Sequence, residues 1–283
     1  MTNGRTWLSV CLLTCLTPIT ALAVTNENSS STPFDNLEWR PIGPVNMSGR
    51  VADVEGVPGN PNIVYVGSAS GGVWKTVDGG LNFEPIFDDQ PIASIGDLAL
   101  APTNPGGVYV GSGEANARNS VSFGNGVYKS TDGGKSWNHL GLDDTRHISR
   151  VLVSSLDPKV VFVGAMGHFY GPNEERGVFR SKDGGQNWTK VLYLDEHHGV
   201  SDMDIDPTNP NVLYAALWHF DRKPWTHTTG SREGGVWKSV DGGDTWKKLE
   251  KGLPKGVVGR IGVKVAPSNP NIVYVIAESD EGT

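Results

Sequence analysis

Short runs of apolar and polar residues alternate along the chain, separated by Asn, Pro, Asp and Gly, and this pattern predicts β-strands. Segments such as NPNIVYVG (60–67) and DPKVVFVG (157–164) place a Pro-containing turn before a β-branched, aromatic-centred strand. Another alternating segment precedes each of them, for example LALAP at 98–102 and VKVAP at 263–267. No segment shows a helical period. We therefore expect an all-β protein.

One motif recurs four times and defines a repeating unit. It has the form Gly-Val-aromatic-basic-Ser/Thr-x-Asp-Gly-Gly, with Trp or Phe five places after the Asp. The alternating part predicts a strand, and the two glycines can close a hairpin in which the Asp carboxylate accepts backbone N–H groups. Four antiparallel strands repeated every 51 to 58 residues predict the blades of a β-propeller. The four aspartates are Asp78, Asp132, Asp183 and Asp241.

The repeat also sets the expected domain organisation. The propeller is predicted over 39–283, with residues 39–43 matching the fourth strands and forming an orphan outer strand. Only two strands of a fifth blade precede the end of the chain, so we expect a propeller truncated at its C-terminus. The predicted blades occupy 44–90, 91–143, 144–196 and 197–255, followed by a partial blade at 256–283.

The first residues have the pattern of a secretory signal peptide. Residues 1–23 combine a positive charge, an apolar core and an A-x-A site, which predicts cleavage near Ala23 and a secreted or periplasmic protein. Residues 24–38 are expected to be a flexible leader. Cys11 and Cys15 both lie in the signal, so the mature chain is expected to fold without disulfides.

Composition and motifs exclude several classes of partner and cofactor. A net charge of −7 and a pI near 5.5 argue against a nucleic-acid surface, and no later apolar run is long enough to span a membrane. The chain has no nucleotide or serine-hydrolase fingerprint and no His-x-His or HExxH pattern. His197 and His198 are adjacent, and a strand would place them on opposite faces. We therefore expect no cofactor and no metal.

The repeat S/T-x-D-G-G-x-x-W is similar to the Asp-box, or bacterial neuraminidase repeat. Residues 39–283 resemble the sortilin/VPS10-like propellers of exported bacterial proteins, which are often labelled glycosyl hydrolases. In that family the Asp-box lies at the bend between third and fourth strands, away from ligands. The resemblance therefore implies a structural role for Asp78, Asp132, Asp183 and Asp241.

Function is expected on the opposite face, where the loops between second and third strands diverge in length. Their acidic, basic, amide and aromatic groups suit a polar ligand such as a glycan or a peptide. Alternatively, these groups pack on one another, and the spacing of Glu175 and Arg176 permits a local ion pair. The candidate ligand-binding residues are Asn116, Arg118, His168, Tyr170, Arg176, Trp218, His219, Arg222 and Trp225. Trp218 and Trp225 are the sharpest candidates, because the repeat does not require them.

Three function classes remain, of which an exported binding propeller is favoured. A glycoside hydrolase of the xyloglucanase or sialidase type needs two carboxylates. These are expected in the divergent loops, where Glu114 and Glu175 are the candidates to test, or in the C-terminal part that is expected to be missing. Xyloglucanase-type glycosidases resemble this chain in blade one, where their pattern Arg-Thr-Asp-x-Gly-Gly-Ala-Tyr-Arg contains a catalytic Asp. The matching stretch here is GSASGGVWK (67–75), with Ala69 in place of that Asp. A sortilin-like peptide receptor is the third class.

Overall fold

A computed structural model describes residues 50–280. The predicted signal peptide at 1–23, the leader at 24–38 and the orphan strand at 39–43 lie outside the described residues. Between residues 50 and 280 the chain forms antiparallel sheets in succession, with one short 3-10 turn at Asp143–Thr145. No helix in that range is long and apolar enough to cross a membrane.

Four sheets have four consecutive strands in the order of a propeller blade. Blade one contains β1 (Val51–Gly56), β2 (Val64–Ser68), β3 (Val73–Thr76) and β4 (Glu84–Pro85). Blade two contains β5 (Ile95–Ala101), β6 (Asn104–Ser112), β7 (Val127–Ser130) and β8 (Asn138–His139). Blade three contains β9 (Ile148–Val153), β10 (Val161–Ala165), β11 (Gly177–Ser181) and β12 (Thr189–Leu192).

Blade four has an added hairpin. Its sheet contains β13 (His198–Ile205), β14 (Leu213–Lys223), β16 (Gly235–Ser239) and β17 (Lys247–Lys248), and β15 (Thr226–Thr229) pairs with the far end of β14. A fifth sheet is formed by β18 (Val258–Val265) and β19 (Val273–Ser279). The all-β propeller predicted from the repeat is confirmed.

The cores lie between blades. The apolar cluster between blades one and two includes Tyr65 and Val73 from one sheet and Val108 and Tyr128 from the next. Similar clusters join blades two and three, three and four, and four and the fifth sheet. Blades two, three and four each pack between two neighbouring sheets, so the β-branched and aromatic residues of their second and third strands become core on two sides.

Each Asp-box closes the bend between the third and fourth strands of its blade. In blade one, Asp78 Oδ1 accepts the Thr76 hydroxyl at 2.8 Å and the Asn82 N–H at 2.9 Å, and Thr76 Oγ1 accepts the Gly80 N–H at 2.9 Å. Gly79 and Gly80 adopt φ of 72° and 87°, which side chains rarely tolerate. The same bonds recur around Asp132, Asp183 and Asp241.

The basic residue of the repeat links each blade to the next. Its cationic group reaches the carbonyl of the first Asp-box glycine in the following blade, which explains why the position before Ser/Thr is Lys or Arg. These bonds run from Lys75 to Gly133 (2.8 Å), from Lys129 to Gly184 (3.2 Å) and from Arg180 to Gly242 (2.6 Å). The trailing tryptophan makes the reverse link, since Trp137 and Trp188 donate to carbonyls of the preceding blade.

Candidate functional site

The long loops of blades two, three and four converge over one end of the blades, a surface that we call the loop face. They share an apolar cluster formed by Ala115, Met166, Phe169, Trp218 and Phe220. The Phe169 and Phe220 rings meet edge to face at 5.2 Å, and those of Trp218 and Phe220 lie 4.7 Å apart. The loops are therefore held together by their own small core.

The expectation that Trp218 is an exposed ligand-binding ring is wrong. Only 5% of Trp218 is exposed, and its Nε1 donates to Thr229 Oγ1 at 3.0 Å. The strand β14 continues to Lys223, so Trp218 lies within a strand and its ring packs in the apolar cluster. Trp225, by contrast, is 80% exposed between β14 and β15, and its role in binding remains a prediction.

Arg176 is also a structural residue and cannot contact a ligand from solvent. Its side chain is 0% exposed, and its guanidinium donates to the carbonyls of His197 (2.6 Å) and Phe220 (2.9 Å). The ion pair is with Asp221, at 3.1 Å, and not with its sequence neighbour Glu175. Burial lowers the pKa of Arg176, and the Asp221 carboxylate opposes that shift.

The two carboxylates proposed for catalysis are placed differently. Glu114 is buried, and its Oε1 accepts Arg50 Nε at 2.7 Å while Oε2 lies 3.8 Å from Arg118 Nε. This carboxylate is thus neutralised by two arginines. Glu175 is half-buried on the loop between β10 and β11. Arg118 is largely exposed, and its role in ligand binding remains a prediction.

Asn116 lies at a different place, in the central channel where the first strands of the blades meet. This cavity measures about 380 Å³. Arg150 crosses it, with Nη1 3.0 Å from Asp97 Oδ1 and Nη2 2.6 Å from Asp202 Oδ1. The carboxylates of Asp97 and Asp202 also accept N–H groups from the next blade, at 2.7 and 2.9 Å. The channel charges therefore connect neighbouring blades.

A groove on the loop face brings His168 and Tyr170 together with residues that the sequence did not single out. Its volume is about 480 Å³. Tyr170 and Phe123 are exposed aromatic rings, and the guanidinium of Arg146 lies 5.6 Å from the Phe123 ring centre. The full lining is Val121, Phe123, Arg146, His147, His168, Phe169 and Tyr170.

Arg146 has a strained backbone. Its φ of 57° with ψ of −42° is uncommon for a residue with a side chain. The surroundings enforce it, since the Arg146 carbonyl accepts the Gly124 N–H at 2.7 Å and its guanidinium donates to Asp144 at 3.0 Å. Arg146 belongs to the connection between blades two and three. Antiparallel connectivity places such connections on the same face as the loops between second and third strands, and this position could have identified Arg146 from the sequence.

His147 forms the floor of the groove. Its ring stacks on Phe169, with centroids 4.1 Å apart and planes at 3°, and Nδ1 donates to the Glu114 carbonyl at 2.8 Å. Burial lowers the pKa of His147 to about 4, although the Glu114 carbonyl acts in the opposite direction. The imidazole is therefore neutral at physiological pH and presents an aromatic surface.

The hairpin of blade four carries the remaining candidates. The Arg222 N–H donates to the Phe169 carbonyl at 2.7 Å, so the hairpin is fastened to the loop of blade three. Arg222 itself is half-buried. His219 lies beside Asp221, with Nε2 3.0 Å from Oδ2. The candidates Arg222, His219 and Trp225 are not among the residues that line the groove.

The expectation of no metal site meets a contrary arrangement. His197, His219 and Asp221 place their potential ligand atoms within 4.8 Å of one another. His198 bonds Asp195 and Ser231, but its ring and that of His197 both lie 5.2 Å from the His219 ring, so the expected separation of the two histidines onto opposite faces is not found. His197, which immediately precedes β13, nevertheless places Nδ1 2.6 Å from Asp221 Oδ2, a contact that the spacing of histidines along the chain did not show.

Four-stranded blades closed by Asp-box turns define this protein as an Asp-box β-propeller. Residues 125–281, more than half of the chain, match the Sortilin-Vps10 family, described as sortilin, neurotensin receptor 3. The chain belongs to this family.

Similar proteins include a curated relative and several solved structures. The photosystem II assembly lipoprotein Ycf48 of Picosynechococcus sp. is 31% identical over 144 residues, which cover 42% of each chain. An ancestral GH74 enzyme matches 82% of this chain and 30% of its own, with 22% identity and a TM-score of 0.62. The GH74 enzyme of Niastella koreensis matches 80% of this chain and 35% of its own, with 20% identity and a TM-score of 0.57.

These relatives support the propeller fold. The GH74 xyloglucanase of Xanthomonas campestris matches 75% of this chain and 32% of its own, with 17% identity and a TM-score of 0.54. The chain therefore spans less than half the length of these relatives. At such identities the solved structures establish the fold and not a shared activity.

Proposed function

We propose that this protein is an exported interaction module that binds a polar ligand, a glycan or a peptide, in the groove of the loop face. The observation that carries the proposal is the pairing of exposed Phe123 and Tyr170 with Arg146 and His168 around an open cavity of about 480 Å³. Aromatic faces accept sugar rings and apolar side chains, while the polar groups orient the ligand.

The construction of the groove supports binding. Its walls are tied to the apolar cluster through Phe169, and its floor is the stacked pair of His147 and Phe169. Arg146 is held in a strained conformation, a feature that concentrates at functional sites. Such a rigid groove loses little conformational entropy on binding, which favours affinity.

Hydrolysis is the alternative, and the state of Glu114 makes it the weaker one. A general acid or nucleophile must reach the substrate, whereas Glu114 is buried and paired with Arg50 and Arg118. Ala69, which replaces the xyloglucanase Asp, is fully buried. The GH74 neighbours keep this alternative open, and the family description, which includes a neurotensin receptor, supports a peptide as one form of the ligand.

Export is part of the proposal. It is supported by the signal-peptide pattern of residues 1–23 and by the naming of the Ycf48 relative as a lipoprotein. N-terminal sequencing of the exported protein tests it, and a mature start near Val24 is expected.

The binding test uses glycan and peptide arrays, followed by titration of the best probe from each. We expect Tyr170→Ala and Phe123→Ala to weaken binding at least tenfold, about 1.4 kcal/mol. Tyr193→Ala is the matched control, because Tyr193 is an exposed tyrosine that does not line the groove. Wild-type affinity in both groove variants would refute the groove as the site.

The same samples test hydrolysis. Reducing-sugar release from polysaccharides is measured for the wild type and for Glu114→Gln. The proposal expects binding without turnover, whereas release by the wild type that disappears in the variant would establish the alternative. Trp225→Ala shows whether the ligand extends to the exposed tip of the hairpin.

A further inference from the structure

We propose that His197, His219 and Asp221 form a binding site for a divalent transition-metal ion, with Zn²⁺ as the best match. This site is separate from the groove, and its three residues are not among the groove's lining. His219 and Asp221 are two residues apart on β14, so both side chains lie on one face of that strand. His197 immediately precedes β13, the strand that pairs with β14.

The ligand atoms converge on one point. Asp221 Oδ2 lies 2.6 Å from His197 Nδ1 and 3.0 Å from His219 Nε2, and the potential ligand atoms all lie within 4.8 Å. Ligand atoms around a tetrahedral zinc stand about 3.4 Å apart, given metal–ligand distances near 2.0–2.1 Å. To reach that spacing, Asp221 Oδ2 would move about 0.8 Å farther from His197 Nδ1 and about 0.4 Å farther from His219 Nε2, and the ligand atoms of the two histidines already lie within 4.8 Å of each other.

The donor set matches zinc chemistry. Two imidazole nitrogens and one carboxylate oxygen are the usual ligands of an open zinc site, in which water or substrate takes the fourth position. The side chains of His197, His219 and Asp221 are 38%, 21% and 17% exposed. An ion can therefore enter from solvent, and water only partly screens the attraction between that ion and the partly buried Asp221 carboxylate.

Neighbouring groups hold the ligands in place. Arg176 donates to Asp221 Oδ1 at 3.1 Å, which leaves Oδ2 directed at the two histidines. Glu196 Oε1 lies 3.6 Å from His197 Nε2, the ring nitrogen that faces away from Asp221. At that distance Glu196 is an electrostatic neighbour of His197 and not a hydrogen-bond partner, so the bond that orients a ligand in this structure is the one from Arg176 to Asp221.

The local charge balance also favours a cation. Asp221 and Glu196 each have a carboxylate within 4 Å of His197, and Asp195 accepts the His197 N–H at 2.8 Å. Against these three anions stands the cation Arg176, which is already engaged by Asp221 and by backbone carbonyls. A divalent ion would compensate the remaining negative charge.

The alternative is a hydrogen-bond network in which Asp221 simply accepts from both histidines. Metal binding to tag-free, metal-stripped protein distinguishes the two. Isothermal titration with Zn²⁺ is expected to show one ion per chain and a rise in melting temperature. Titration with Co²⁺ is expected to give visible absorption typical of four-coordinate nitrogen and oxygen ligands.

Two variants locate the site. His219→Ala removes one ligand, and His197→Gln removes another while its amide can still hydrogen-bond Asp221, which protects the fold. Each is expected to weaken Zn²⁺ binding at least tenfold and to abolish the Co²⁺ absorption. His227→Ala, an exposed histidine on the same hairpin, is the matched control and should bind as the wild type does.

The proposal fails if the wild type binds no stoichiometric Zn²⁺, or if folded His197→Gln retains wild-type affinity. Should His219→Ala fail to fold, His197→Gln alone decides. Because the groove residues are unchanged in all three variants, ligand binding at the groove is tested independently, and failure of one proposal leaves the other intact.

Discussion

At the Asp-box turns, the carboxylates are bound by groups two to four residues away along the chain. On the loop face, Arg176 pairs with Asp221, which is 45 residues away, and Glu114 pairs with Arg50, which is 64 residues away. The same short-range hydrogen bonds form in each of the four Asp-box turns. The loop face assembles different side chains from three blades around an apolar cluster. Each Asp-box turn is therefore formed within its own repeat, whereas the loop face forms only when the blades pack together.

Replacement of Arg176 should have the largest effect. Arg176→Ala removes the donor to Asp221 Oδ1 and to the carbonyls of His197 and Phe220 and leaves a cavity in its place, so we expect the free energy of unfolding to fall by about 3–5 kcal/mol. Chemical denaturation followed by tryptophan fluorescence measures it. Glu175→Ala, next to it in the chain, should change stability much less, and equal losses would contradict the structural role of Arg176.

Trp218 gives the next largest effect and reverses the expectation from the sequence. Trp218→Ala should cost about 3 kcal/mol because it removes a buried ring from the apolar cluster. Trp188→Ala should cost less, since Trp188 is only half-buried between blades two and three. Paired thermal melts test the order, and a smaller loss for Trp218 would restore it as a surface residue.

Lower pH should weaken the loop face before it weakens the turns. Burial lowers the pKa of His147 from 6.5 to about 4, with Arg146, His168 and Arg176 as nearby cationic or titratable groups. The unfolded chain therefore takes up a proton near pH 6.5 that the folded chain refuses until about pH 4. Stability contributed by the neutral ring is present above pH 6.5 and is lost as the pH falls through this window, by about 3 kcal/mol in total.

His147→Gln isolates this contribution. Unfolding free energies at pH 7 and pH 5 are compared for the two proteins, since other groups titrate equally in both. Between pH 7 and pH 5, the free energy of unfolding should fall more for the wild type than for His147→Gln. Identical losses would mean that His147 titrates normally in the folded protein.

A single Asp-box should have the smallest effect. Hydrogen bonds from the side-chain amide and the backbone N–H of Asn187 lower the pKa of Asp183 from 3.8 to about 2. The stability contributed by the ionised carboxylate is therefore present above pH 3.8 and is lost as the pH falls through about 2. Asp183→Ala should lower the melting temperature slightly at pH 7 and leave groove binding unchanged. Loss of binding at wild-type stability would show that the turns take part in function.

Much of the fold follows from the repeat, but less of the site does. The aspartate, glycine and aromatic positions of the Asp-box were assigned from spacing, because their bonds close within one turn. His168 and Tyr170 were proposed as ligand residues, and they line the groove. Phe123 was missed although it lies in the divergent loop of blade two, and Arg146 was missed because it lies in a connection between blades and not in such a loop. Arg176 and Trp218 were proposed as surface groups on the ground that they lie in divergent loops, yet both are buried.

The sequence by itself determined the propeller class, the strand order and the local geometry of each turn, because alternation and short-range hydrogen bonds act within a few residues. Only the tertiary structure decided which loop residues are core, which form the groove, and that His197 meets His219 and Asp221. Those outcomes depend on which loops and strand ends of successive blades converge, and such long-range packing leaves no periodic mark on the chain.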